Sequence, residues 1–170
     1  MPGGDATSLH VGNAFCVLAA LILGGGYGGL AGAIGMTIAD LMDPIYIVGA
    51  PKTFVLKFCI GLIVGLVAHK LARINESKDK KYVLKWSIIE SAAGLGFNVI
   101  ADPIVGYFYK QFILGQPQQM AEVLAKWSTA TTFVNAVVSV ILVGFLYNAV
   151  RPILLRSGMM TITNGKKKAV

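Results

Sequence analysis

The chain has 170 residues, 55% of them apolar and only 14% charged, with a mean hydropathy of +0.69. Soluble domains carry about a quarter charged residues, so an ordinary soluble domain is excluded, and the length suits one membrane domain over residues 1–170 rather than a multidomain pump. The formal charge of +7 comes from lysines and arginines at the ends of apolar segments, which argues for membrane topology and against nucleic acid as a partner. Cys16 and Cys59, both inside apolar runs, point to neither a disulfide framework nor a thiolate metal site.

Residues 11–39 carry no charge. As one helix they would far exceed a hydrocarbon core of about 30 Å, and the glycines at 24, 25, 26, 28 and 29 are poor helix interior. Two short helices are therefore expected, at about 9–23 and 27–41, joined by a tight glycine hairpin. A loop follows over 42–52, broken by Asp43-Pro44 and Ala50-Pro51. Three longer apolar segments come next, at about 53–71, 86–109 and 129–150, making five in an all-α integral membrane bundle.

Lysine and arginine in short loops resist translocation. Lys70, Arg73, Lys78, Lys80, Lys81 and Lys85 lie between the third and fourth segments, and Arg151, Arg156 and Lys166 to Lys168 follow the fifth. That bias places the 70–85 loop and the C-terminus in the cytoplasm, with residues 1–10, the 42–52 loop and the 109–128 loop outside. Five crossings then leave the N-terminus outside with no signal peptide to carry it there. The expectation is a six-helix fold whose first helix is absent from this chain.

Small residues recur four apart at Gly28 and Gly32, Gly35 and Ala39, Gly61 and Gly65, and Ala92 and Gly96. That spacing fits close helix packing inside the chain or a docking face for another membrane protein. Polar residues within apolar segments are costly and tend to face cavities. Asn13, Asp40, Lys57, Asn98, Asp102 and Asn135 come from all five segments at similar outward depth, with Tyr107, Tyr109, Trp127, Thr131 and Thr132 nearby. They suggest an outward-opening polar pocket with aromatic walls.

The ligand contacts expected are Asn13, Lys57, Asn98, Asp102 and Asn135. Lys57 would meet an acidic or phenolic group, the amides would meet ring heteroatoms, and Trp127 or Tyr107 would stack. His10 would sit over the pocket mouth. Glu90 is expected near the start of its helix, where the dipole favours a carboxylate, and His69 at an interfacial helix end. Two distant histidines make no metal site. There is no phosphate-binding loop and no nucleophile–base motif, so no cofactor and no catalytic residue are expected.

The first 70 residues resemble the substrate-binding S components of energy-coupling factor (ECF) vitamin transporters, in the riboflavin-transporter-like branch that also holds proteins for pyridoxine-related compounds. The resemblance lies in Val11-Gly12-Asn13-Ala14 after Leu9-His10, in the run from Gly29 to Leu41 after a glycine hairpin, and in Pro51, Thr53 and Lys57 entering the next helix. It implies a six-helix membrane domain with both termini inside that captures a vitamin at the outer face. The domain would dock on a coupling transmembrane subunit driven by two cytoplasmic ATPase subunits, and would not itself be an enzyme. The family's first helix, with its alanine-x-x-x-alanine docking motif, has no counterpart ahead of Met1, so docking residues are not carried over. The number of polar pocket residues leans toward a pyridoxine-like rather than a riboflavin-like ligand. The alternative is a ligand-free assembly or structural protein that packs through its glycine-rich helices.

Overall fold

The computed structural model describes residues 11–160, so His10 lies outside the described residues. The described residues form an all-α bundle of five main helices: α1 (Gly12–Leu23), α2 (Gly25–Met42), α3 (Ala50–Gly65), α4 (Lys80–Phe108) and α5 (Gln118–Arg156). Single π-helical turns extend α3 over Leu66–Leu71 and α4 over Tyr109–Ile113, and short 3₁₀ turns occupy Ile47–Gly49 and Ile74–Glu76. The stretches Ile47–Leu71, Lys80–Ile113 and Gln118–Arg156 are long and apolar enough to cross a membrane, and α1 is a shorter apolar helix.

The glycine hairpin is much tighter than expected. Only Gly24 breaks the helix, at φ 85° and ψ 164°, a combination that glycine alone adopts readily. Gly25 to Gly29 are helical rather than turn. Their propensity cost is offset because missing side chains let backbones touch. A β-carbon on Gly61 or Gly65 of α3 would collide with the backbone of Gly29 or Gly25, and one on Gly28 would collide with Ala19 and Ala20 of α1. Gly32 lies against Cys16 in the same way. The Gly28, Gly32, Gly61 and Gly65 positions are thus taken up by packing within the chain, whereas Gly35 has open space beside it and Ala39 is on a cavity wall.

The last two helices also depart from the expected boundaries. α4 starts at Lys80, where the Asp79 carboxylate accepts the Lys81 N–H at 2.9 Å as an N-cap. It runs 29 residues straight through Pro103. Glu90 is therefore about 15 Å along the helix, beyond the reach of the N-terminal dipole. It is 0% exposed, and neither carboxyl oxygen has a partner among the described residues. α5 has 39 residues, about 58 Å at 1.5 Å per residue, so most of the expected 109–128 loop is helix and only residues 114–117 connect. The polar start of α5, from Gln118, accounts for this: good helix formers prolong a helix past the apolar stretch.

Connectivity puts the ends of α3 and α5 and the start of α4 at one end of the bundle, together with the basic residues from Lys70 to Lys85. There, Arg151 is buried and donates to the Ile74 and Ser77 carbonyls at 3.0 and 2.8 Å. Tyr82 donates to the Ala72 carbonyl at 2.9 Å. The His69 ring lies 3.3 Å from the Ala20 carbonyl and 3.2 Å from the Asn75 amide, tying the π turn to α1. The expected interfacial histidine is thus a half-buried linker.

Gly61→Ala is expected to lower stability by about 1–3 kcal/mol or more, because backbone cannot yield as a side chain does. Gly35→Ala should leave stability unchanged or raise it by up to about 1 kcal/mol through helix propensity. Thermal unfolding of both variants in detergent checks the contrast.

Candidate substrate-binding site

At the end opposite the basic cluster, polar side chains from all five helices converge on a cavity of about 430 Å³. The register of each helix produces this. Asn98 and Asp102 are one turn apart on one face of α4, and Ser128, Thr132 and Asn135 recur at the i, i+4, i+7 spacing on α5. On α3, Lys52, Thr53 and Lys57 follow Pro51, which starts the helix without wasting an N–H. Asn13 comes from the first turn of α1, and Met36, Ala39 and Asp40 from the last turns of α2.

The lining has two levels. Nearer the mouth, Asp102 is saturated: Lys52 Nζ lies 3.3 Å from Oδ1, while Ser128 and Thr132 donate to Oδ2 at 2.5 and 3.3 Å. Pro103 follows directly and removes the N–H that would pair with the Val99 carbonyl. The π turn at Tyr109–Ile113 then turns Lys110 into the cavity, where it is buried. Tyr109 donates to the Val48 carbonyl at 2.8 Å and so ties this turn to the 43–49 segment, which supplies Asp43, Tyr46 and Gly49 to the lining.

One turn deeper on α3 and α4 are Lys57 and Asn98, with Asn135 at matching depth on α5. The Cys16 thiol donates to the Lys57 carbonyl at 3.4 Å, which sets the first turn of α1, and with it Asn13, beside this level. Asn13 and Asn98 are 1% and 2% exposed, and the Oδ1 atom of each has no partner among the described residues. Lys57 is 7% exposed, and its ammonium makes no hydrogen bond or ion pair with any described residue. Asp102 and Asp40 reach it only as through-space charges. Among the described residues no three His, Cys, Asp or Glu side chains cluster as metal ligands would.

Of the residues singled out from sequence, Asn13, Lys57, Asn98, Asp102 and Asn135 are brought together on this cavity. Trp127 and Tyr107 are not. Trp127 precedes Ser128 by one residue, hence about 100° around the helix, and is 67% exposed; it suits an aromatic anchor at the membrane interface. Tyr107 is similarly out of phase with Asp102 and lies edge-on to Phe108 with ring centroids 5.4 Å apart. The expected aromatic walls reduce to Tyr46. Lys52, Ser128 and Lys110 line the cavity in addition to the residues expected from sequence. The i, i+4 relation of Ser128 to Thr132 was a readable signal, whereas the inward turn of Lys110 depends on a π turn that no spacing announces.

A family model described as ECF-type riboflavin transporter, S component, matches residues 1–152. No curated protein and no solved structure matches the chain at a significant level. The match spans most of the chain, and the chain belongs to that family.

Breaking the Lys52–Asp102 pair from one side leaves its partner and two hydroxyls facing the cavity unpaired. Asp102→Ala is expected to lower the unfolding free energy by about 1–3 kcal/mol. The swap of Lys52→Asp with Asp102→Lys should recover part of that loss, as a double-mutant cycle on thermal unfolding would measure.

Proposed function

We propose that this S component captures a water-soluble vitamin in the cavity formed by α1 to α5 and passes it to an ATP-driven coupling module. Family membership makes the chain a vitamin-binding transporter component in the membrane, not an enzyme. The observation that carries the assignment of the site is convergence: five helices each contribute polar groups to one 430 Å³ cavity in a protein whose remaining surface is largely apolar. Buried polar groups without partners are costly, so their collection at one place is best explained by a ligand that satisfies them.

In this reading Asn13, Asn98 and Asn135 bond the ring heteroatoms of the ligand, Lys57 meets its acidic or phenolic group, and Asp102 orders the wall through Lys52, Ser128 and Thr132. The family is named for riboflavin. A lining with Tyr46 as its one aromatic residue among the described residues supports a smaller, more polar ring of the pyridoxine type. The charge bias supports an outward cavity and a cytoplasmic C-terminus, since the basic residues gather at the other end. Docking on a coupling transmembrane subunit with two cytoplasmic ATPase subunits follows from the family. Use of the glycines within the chain weighs against the ligand-free assembly reading.

Titration of the detergent-purified protein with riboflavin, pyridoxine and their close relatives tests the site. Alanine at Asn98 or Asn135 is expected to weaken binding about tenfold or more, equivalent to about 1.4 kcal/mol. Unchanged affinity in both variants, with folding intact, would remove the cavity as the binding site.

The orientation has its own check. A green fluorescent protein fused after Val170 is expected to fluoresce, and an alkaline phosphatase fused there to be inactive. The reverse pattern would place the cavity at the cytoplasmic face.

A further inference from the structure

The deep level of the cavity holds one basic side chain, Lys57, with no carboxylate within ion-pair distance of it among the described residues; Asp40, also on the lining, reaches it only through space. Asp102 is the nearest acid along α4, and both its oxygens are engaged by Lys52, Ser128 and Thr132. Asp43 accepts the Ile45 N–H at 2.9 Å in its own turn. Lys57 is thus buried on the cavity lining with no direct counter-charge among the described residues. A buried, unpaired ammonium is expensive, and an anion that reaches it recovers that expense. On either side, the Oδ1 atoms of Asn13 and Asn98 are acceptors without donors, so the same level also wants N–H or O–H groups.

We propose that the ligand of this cavity carries a single oxyanion, a carboxylate or comparable acidic group, which seats against Lys57 while neighbouring N–H or O–H groups of the same ring donate to Asn13 and Asn98. The inference rests on the vitamin-binding reading of the cavity and deepens it. The ligand enters acidic end first, past the saturated Lys52–Asp102 level. Lys52 and Asp102 neutralise each other at that level, so the pair discriminates little between acidic and neutral molecules. Lys57 supplies the discrimination, and the cavity accordingly prefers the acidic member of any pair of ligands that share a ring.

Two such pairs test it by isothermal titration of the detergent-purified protein: pyridoxine against 4-pyridoxate, and riboflavin against flavin mononucleotide. In at least one pair the charged member is expected to bind about tenfold tighter or more, the size of one hydrogen bond to a charged group. Lys57→Met should abolish that ratio and Lys57→Arg should keep most of it. The comparison within each pair uses wild-type protein, so the test survives a variant that fails to fold. Equal binding within both pairs, tighter binding of the neutral members, or a ratio that persists in Lys57→Met would overturn the oxyanion proposal while leaving vitamin binding intact. Binding of none of the four would overturn the vitamin-binding reading and this inference together.

Discussion

Backbone contact between α2 and α3 is the constraint on which the rest of the molecule depends. Gly25 and Gly29 lie against Gly61 and Gly65 with no side chain between them. In lipid there is no hydrophobic drive to bring helices together, so association rests on dispersion and weak polar contacts that fade within an ångström of separation. A β-carbon on Gly25 would come within 3.2 Å of the Gly61 carbonyl oxygen and of the Gly65 Cα, so even a methyl group would crowd this contact. Because α2 also lies directly on Ala19 and Ala20 of α1, the three helices form one unit. Separating α2 from α3 by the width of a methyl group would draw Asp40 and Asn13 away from Lys57 and open the cavity floor.

The other half of the molecule is held by different means. α4 and α5 run antiparallel over their length and are fastened at both ends by polar groups. At the basic end Arg151 grips the 72–79 connection through two carbonyls. At the cavity end Ser128 and Thr132 of α5 grip Asp102 of α4. The cavity therefore has one wall fixed by hydrogen bonds and an opposite wall fixed by glycine packing. Two bridges span them near the mouth: the Lys52–Asp102 pair and the Tyr109–Val48 hydrogen bond. The short 43–49 segment between α2 and α3 is the thinnest part of the enclosure, since it closes the cavity with a 3₁₀ turn rather than a full helix.

Composition and the basic clusters made the membrane class legible, and polar residues in apolar runs made the cavity legible, because both signals are averages over many residues or costs too large to be accidental. Asn13, Lys57, Asn98, Asp102 and Asn135 needed no phase information to be noticed. What failed depended on phase or on partners. Trp127 and Tyr107 were near the right depth but on the wrong side of their helices, and one residue of offset is 100°. Glu90 was misread because the helix start was set six residues late, at Trp86 instead of Lys80; Lys80 to Lys85 look like loop by charge yet are good helix formers after an Asp79 cap. The glycine run has the propensity of a turn, but tertiary contact of Gly25, Gly28 and Gly29 with α1 and α3 overrides it and leaves only Gly24 outside the helices.

The two levels of the cavity have opposite economies of hydrogen bonding. The Asp102 level is closed at its carboxylate: both Asp102 oxygens have donors, so it contributes rigidity. The Lys57 level is open: Asn13 and Asn98 have acceptors without donors, and Lys57 is a donor without an acceptor. Each unsatisfied buried group costs about 1–3 kcal/mol, a burden that packing elsewhere must offset. A ligand that supplies the missing partners recovers those terms together, and it stabilises the fold in proportion to its affinity. High affinity and a raised unfolding temperature are then two readings of one arrangement.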